Sequence, residues 1–323
     1  MTNPISWGIL GAAGFARKTM APAIHAARNS HVVALATRKS ERAAPFSELM
    51  PGLRVLESYE ELLAAPEIEA VYIPLPNALH TEWSLRAAEA GKHVLCEKPI
   101  GLSTEDLEQL IAKRRDAGVL IAEAWMPAHH PQWHTAHELI ADGAIGTLHT
   151  VTGHFSFGLT DASNIRLSAD LGGGALRDIG VYPIGTFRLA TGQDPDPVAT
   201  DLVVENGVAT SAWIACRADD IRFHFHVSMR TTRSQEMRFF GTKGTLNVPA
   251  PFNPGPMGEA QLHLARDGAD VQVIRFPMVD QYVAQVEAVF DCIRNGTDYP
   301  CPLEFSMGTQ RTLDAIFAHA SDA

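Results

Sequence analysis

Lys98, Asp178 and Tyr182 are the side chains whose types and settings point to chemistry. Lys98 lies in Val94-Leu95-Cys96-Glu97-Lys98-Pro99, where an apolar run meets two charges and then a proline. Pro99 has no N–H to give a neighbouring strand, and it pushes Lys98 out of the helical region of backbone space. The stretch predicts a strand that stops abruptly and holds an ammonium group just past its carboxyl end. Open α/β sheets bind their ligands at that end. Asp178 and Tyr182 are four residues apart in a helical stretch behind Gly172-Gly173-Gly174. Residues so spaced share one helix face, and glycines permit close backbone approach. A carboxylate and a phenol aimed the same way suit a hydroxylated substrate. Taken singly, each residue has a plainer reading: a strand-end ion pair, a helix N-terminal aspartate, a packed tyrosine. Their places along the chain favour chemistry.

The elements that must position these groups begin with Ile5–Leu10, a short apolar run. It opens onto Gly11-Ala12-Ala13-Gly14-Phe15-Ala16, and a helical stretch follows from Arg17 to Ala27. This is strand, tight turn, helix. The turn fits G-x-G-x-x-A except at Ala13, where a glycine normally lets backbone approach a pyrophosphate. The next strand, His31–Ala36, ends in Thr37-Arg38, with no acid before Glu41. A carboxylate there would hold ribose hydroxyls, whereas a hydroxyl and a guanidinium suit a 2′-phosphate. The other reading is a solvated basic turn, and the preceding strand–turn–helix favours the phosphate.

The alternation continues through strand Ala70–Ile73, the non-helical turn Pro74-Leu75-Pro76-Asn77, helix Thr81–Ala90 and strand His93–Cys96. Helix Thr104–Ala117 follows, capped by Ser103 or Thr104, and then strand Val119–Ala122. Such a rhythm predicts a parallel sheet covered on both faces, over residues 1–124. From Trp125 the rhythm changes. Pro131–Asp142, Ala175–Thr191, Gln281–Asn295 and Ser306–Ala320 read as helices. Leu148–Phe157, Thr200–Val204, Ala209–Cys216, Ile221–Val227, Glu236–Phe240, Gln261–Ala265 and Val271–Phe276 read as strands, and Pro249–Gly258 as a loop. Ile221, Phe223, Phe225 and Val227 fall on one strand face, with Arg222, His224 and His226 on the other. Residues 125–323 therefore predict an α+β domain with a mostly antiparallel open sheet.

A length of 323 residues favours two domains. The net charge of −11 argues against nucleic acid or an anionic membrane as partner. No apolar run is long enough to span a bilayer, and the amino terminus lacks the basic and apolar pattern of a signal peptide. Cys96, Cys216, Cys292 and Cys301 show no C-x-x-C spacing, which suits a reduced, cytoplasmic setting. His129, His130, His134 and His137 offer i,i+3 and i,i+4 pairs for a metal, yet no third ligand is evident. A solvated histidine-rich helix is favoured, and no metal is expected.

The ordered set resembles the Gfo/Idh/MocA oxidoreductases, named after glucose–fructose oxidoreductase and inositol dehydrogenase. It comprises the Gly11–Ala16 turn, Ala36-Thr37-Arg38, Pro76-Asn77 with His80, and Glu97-Lys98-Pro99. It continues with Gly172-Gly173-Gly174-Ala175-Leu176 with Asp178 and Tyr182, Phe240-Gly241-Thr242-Lys243-Gly244 and Pro251-Phe252. Within the family the chain is most similar to the NADP-dependent dihydrodiol and aldose (D-xylose) dehydrogenases, to which Tyr182 points. The resemblance implies a Rossmann domain holding NADP through Gly11, Ala13, Gly14, Phe15, Ala16, Thr37, Arg38, Pro74, Leu75, Asn77, His80, Glu97 and Lys98. It implies Tyr182 as acid–base, its proton affinity lowered by Lys98, and Asp178 as holder of a neighbouring substrate hydroxyl. It also implies a cis peptide at Lys98–Pro99 and a homodimer or higher homo-oligomer through the open sheet. Trp125 and Phe155 correspond to apolar wall positions. Pro127 and Ala128 stand where relatives have an aromatic and an arginine, and Arg166 either replaces that arginine or is a loop charge. Few residues precede Ile5, which favours an exchanging cofactor.

The implied activity is hydride transfer to or from a sugar or vicinal diol. Reduction of a nucleotide-linked keto-sugar is the near alternative. An NAD-dependent glycosidase and a non-catalytic nucleotide sensor stand further off. Charge-assisted contacts to phosphate contribute about 1.5–3 kcal/mol each, about one to two decades of affinity. Arg38→Ala is therefore expected to weaken NADPH much more than NADH in a fluorescence titration. Equal losses for both cofactors, or a parent that binds NADH as tightly as NADPH, would remove Arg38 from this role.

Overall fold

Short apolar runs closed by turn residues build the first sheet. The structure is a computed structural model that describes residues 3–255 and 259–321. In chain order its elements start with β1 (Ile5–Leu10), then a π-helical turn (Ala16–Met20) that runs into α1 (Ala21–Ala26). Next come β2 (Ser30–Ala36), α2 (Ala44–Leu49), β3 (Arg54–Leu56), α3 (Tyr59–Ala64), β4 (Ala70–Ile73) and α4 (His80–Glu89). β5 (His93–Cys96), α5 (Thr104–Ala117) and β6 (Ile121–Glu123) follow. The six strands are all parallel, in the order β3-β2-β1-β4-β5-β6. This is the doubly wound Rossmann order, whose crevice opens where the winding reverses, between β1 and β4. β4 is buried at every residue, as a parallel strand covered on both faces must be. Leu10, Val71, Ile73 and Val94 pack there with Leu107 and Leu110 of α5.

α5 shows how local sequence sets a boundary. Ser103 accepts from Asp106 N–H at 3.2 Å, and Asp106 accepts from Ser103 N–H at 3.2 Å, a reciprocal capping box. At the other end Gly118 takes a φ of 64°, which closes the helix.

The second sheet has eight strands. The elements after β6 are α6 (Pro131–Ala141), β7 (Leu148–Ser156), a π-helical turn (Leu176–Gly180) and α7 (Val181–Thr191). Then come β8 (Asp196–Glu205), β9 (Val208–Ala218), β10 (Ile221–Ser228), β11 (Ser234–Gly241), β12 (Gly244–Val248), β13 (Ala260–Arg266) and β14 (Gln272–Phe276). α8 (Gln281–Asn295) and α9 (Leu303–Ser321) close the chain. The order is β14-β13-β12-β11-β7-β10-β9-β8, antiparallel except where β7 pairs with β10. The alternation expected on β10 holds: Phe223, Phe225 and Val227 are buried, and Arg222 and His224 are exposed. Phe187 of α7 stacks on Phe223 with centroids 4.6 Å apart.

By packing, the chain forms two units, Met1–His129 with Gln281–Met307, and His130–Asp280 with Gly308–Ala323. The sequence division at 124/125 assigns residues 281–307 to the second domain, but they pack with the first unit. Local patterning gives α8 its length and its apolar face, but not the partner for that face. Residues 256–258, the end of the expected loop Pro249–Gly258, lie outside the described residues.

The four histidines do not act as one group. His129 belongs to the first unit and His130 to the second. Among the described residues no group of histidine, cysteine and carboxylate side chains is arranged to hold a metal. His130 caps α6: its Nδ1 accepts the N–H of Gln132 at 3.2 Å. The residue is buried, and burial brings its pKa down to about 4. The folded ring thus refuses a proton that the unfolded chain accepts below about pH 6.5. Stability from this source is complete above that value and is lost as pH falls toward 4, by at most about 3 kcal/mol. His130→Asn keeps a capping acceptor and is expected to flatten that part of the profile in denaturant titrations. An unchanged slope would mean that His130 does not govern it.

Candidate active site

In the first unit the expected residues gather at the carboxyl ends of β1, β2, β4 and β5. Gly11 follows β1 with a φ of +106°, and a Cβ there would come within 2.8 Å of Leu75 Cδ2. Only glycine fits this position. A Cβ on Gly14 would meet no protein atom within 4 Å, so the turn presents bare backbone to open space. Bare backbone of this kind is what a pyrophosphate cradle requires. Ala16 is buried at the start of the π-helical turn, while Phe15 is exposed and meets Tyr282 of α8 edge-on at 5.7 Å. At the end of β2, Thr37 and Arg38 part company. Thr37 is buried, with its hydroxyl 3.3 Å from the Lys39 backbone, and Arg38 is exposed.

The loops after β4 and β5 are joined through buried polar groups. Tyr72 of β4 donates its hydroxyl to Glu97 Oε1 at 2.6 Å. Burial, and then that carboxylate, push the phenol well above its ordinary pKa and keep it a donor. Lys98–Pro99 is cis. The Ile100 N–H donates to Glu123 Oε1 at 2.9 Å, and Ser306 donates to Glu123 Oε2 at 2.8 Å. Thr81 donates to the Ile100 carbonyl at 3.4 Å. His80 has no exposed surface. Its Nδ1 lies 2.7 Å from the Pro99 carbonyl oxygen and its Nε2 2.7 Å from that of Leu75. Both partners only accept, which favours an N–H on each nitrogen. Burial outweighs them, and with the Lys98 ammonium brings the pKa down to about 4. His80 thus lies between the two loops. Pro74, Leu75 and Asn77 form the β4–α4 turn, with Asn77–Leu79 as a 3₁₀ turn. Trp125 is buried against Phe305 at 5.5 Å, and its indole Nε1 has no partner among the described residues.

In the second unit the glycine loop carries the other groups. Gly172 and Gly174 have φ of +73° and +113°. Gly173 N–H donates to Ser168 O at 2.9 Å and Gly174 N–H to Arg166 O at 2.8 Å. A Cβ on Gly173 would collide with Arg166 O and lie 2.7 Å from Ser168 O. The segment Asn164–Ser168 is thus laced onto the glycines. This brings Arg166 to Asp178: Nε donates to Oδ2 at 2.7 Å. Asp178 is buried in the π-helical turn, where a carboxylate needs such a partner. The ion pair gives the loop residue Arg166 a buried carboxylate as partner. Tyr182, one turn on in α7, is buried between Phe155 and Phe252, with centroids 5.3 and 5.4 Å away. Gln235 Oε1 accepts the Phe252 and Asn253 N–H groups at 3.0 and 3.1 Å and holds that ring in place. Tyr72, Thr81, Glu123 and Gln235 escape sequence reasoning. Each acts on residues distant in sequence, and only the strand-end position of Glu123 offers a signal.

The fold agrees with that of similar proteins. Residues 5–124 match the model of an oxidoreductase family with an NAD-binding Rossmann fold, and residues 133–247 match the GFO/IDH/MocA C-terminal domain. A D-xylose 1-dehydrogenase (NADP(+)) of Haloferax volcanii is 36% identical over 97% of this chain and 97% of its own. A dTDP-3,4-didehydro-2,6-dideoxy-alpha-D-glucose 3-reductase of Actinomadura kijaniata is 33% identical over 99% and 97%. The crystal structure of a 3-ketoreductase from Actinomadura kijaniata, in complex with NADP and TDP-benzene, superposes with a TM-score of 0.92. That match has 32% identity and covers 98% of both chains. With its Rossmann unit, its mostly antiparallel second sheet and these relatives along its whole length, the chain belongs to the Gfo/Idh/MocA oxidoreductases.

Proposed function

We propose that this chain is an NADP(H)-dependent oxidoreductase acting on a sugar or vicinal diol at a carbinol or carbonyl carbon. The observation that carries the reading is the pairing, on one glycine-laced helix, of an Arg166-held Asp178 with the aromatic-enclosed Tyr182. The open face of Gly14, the Gly11–Leu75 contact and exposed Arg38 fit a dinucleotide with a 2′-phosphate. The likeness to NADP-dependent D-xylose dehydrogenases supports the same cofactor. When bound, the nicotinamide gives or takes the hydride.

The chain's own residues manage position and protons. Tyr182 exchanges a proton with the reacting oxygen, and the Lys98 ammonium eases that exchange by favouring the phenolate. Asp178 accepts from an adjacent substrate hydroxyl. Arg166 keeps it oriented and stands in for the arginine absent at Ala128. The aromatic rings around Tyr182 exclude water from its flank. Reduction of a nucleotide-linked keto-sugar is the second reading, favoured by the likeness to the 3-ketoreductase.

The protein acts as a homodimer or higher homo-oligomer through the uncovered face of the second sheet, where Trp213 and Val203 are exposed. A reducing, cytoplasmic setting agrees with four free cysteines, three of them buried. No helix among the described residues is long and apolar enough to cross a membrane.

The test is a panel of aldoses, diols and keto-sugars with NADP(H) and NAD(H), read at the nicotinamide absorbance. With the best substrate, Tyr182→Phe is expected to lose about two to four orders of magnitude in rate while NADPH affinity stays nearly intact. A Phe variant that keeps most of its activity would remove Tyr182 from the chemistry. Sugar release without net cofactor turnover would replace the dehydrogenase reading altogether.

A further inference from the structure

His80 lies outside the proton path described above, yet this polar residue, assigned to the cofactor, has no exposed surface at all. Its ring joins two loops. One nitrogen faces the carbonyl of Leu75, whose side chain packs over the glycine of the dinucleotide turn. The other faces the carbonyl of Pro99, the residue after Lys98. The next residue, Ile100, is pinned independently: its N–H by Glu123 and its carbonyl by Thr81. With Ile100 anchored, the contact at Pro99 decides where the backbone carrying Lys98 runs. An imidazole suits this place because it is rigid and has a polar atom on each of two sides. An amide side chain has its polar atoms at one end and cannot reach two loops on opposite sides. The neutral ring donates its one N–H to one of these carbonyls and sets its other edge against the second, whereas an apolar side chain would give neither carbonyl a donor.

We propose that His80 is a positioning residue, a buried spacer that sets the Lys98 loop against the cofactor loop Pro74–Asn77 without touching cofactor or substrate. The inference rests on the role given to Lys98 above. His80 acts on the rate by placing the Lys98 ammonium, and on cofactor affinity by placing the Leu75 loop over the Gly11 turn.

The test compares the parent, His80→Gln, Lys98→Met and the double variant. Thermal unfolding, NADPH affinity by fluorescence and the single-turnover rate with the best panel substrate are measured for each. His80→Gln is expected to weaken NADPH by about tenfold, the loss of one hydrogen bond's worth of loop placement. It is expected to slow turnover by about 10–100-fold, as displaced catalytic groups do. In the Lys98→Met background it should slow turnover by no more than about twofold, because the ammonium it positions is gone. A purely structural role would lower the rate by the same factor in both backgrounds, and that result overturns the proposal. So does a His80→Gln variant with parental rate and affinity. If Lys98→Met alone keeps the parental rate, the catalytic reading of Lys98 fails. The spacer is then judged on NADPH affinity, which His80→Gln must still weaken. Should His80→Gln not fold, Glu123→Gln loosens the same loop from Ile100 and takes its place in the cycle, with the same expected non-additivity.

Discussion

The strand-end loop that carries Lys98 depends on one constraint: Pro99 and Ile100 are buried, so their backbone polar groups need partners within the protein. Pro99 has no N–H, so the ladder of the sheet cannot continue through it. The remaining groups turn to side chains. The Pro99 carbonyl meets His80, the Ile100 N–H meets Glu123, and the Ile100 carbonyl meets Thr81. A buried carbonyl or N–H left unpaired costs about 1–3 kcal/mol, so the loop has one well-satisfied course. The position of an ammonium group thus follows from partners on α4 and β6, with Tyr72 of β4 steadying the adjacent Glu97.

The two units arrive at similar local devices. In each, a glycine with φ beyond +100°, Gly11 or Gly174, comes a few residues ahead of a π-helical turn. Such turns break the ordinary helical ladder and recur at functional sites. In the first unit the turn follows the open backbone around Gly14. In the second it carries Asp178, whose buried charge is balanced by Arg166 from a segment held against Gly173. A carboxylate fixed in this way keeps its direction, which hydroxyl recognition requires.

Much of the architecture is legible in the chain itself. Ile5–Leu10, Ala70–Ile73 and His93–Cys96 are short apolar runs with turn residues at their ends, and each is a strand with those bounds. The Ser103 cap, the alternation on β10 and the shared helix of Asp178 and Tyr182 are likewise local patterns. Backbone geometry sets their periods within a few residues. β3 and β12 are not legible. Arg54–Leu56 is three residues long, and Gly244–Val248 opens with a glycine and carries few apolar residues. Their strand character comes from pairing with β2 and with β11 and β13.

The partners were decided by the tertiary structure alone. His80 stands in a motif, but its burial between the Leu75 and Pro99 carbonyls depends on how α4 packs beside β5. Arg166 meets Asp178 because Gly173 lets the preceding segment close down on it. Residues 281–307 pack with the Rossmann unit although residues 130–280 of the other unit come between them in the chain. His129 and His130, neighbours in sequence, serve a tyrosine from beyond β14 and a helix cap. Periodicity, capping and turn chemistry are short-range and can be read along the chain. The pairing of buried polar groups is settled by elements far apart in sequence, and it takes effect only when packing has removed water from both.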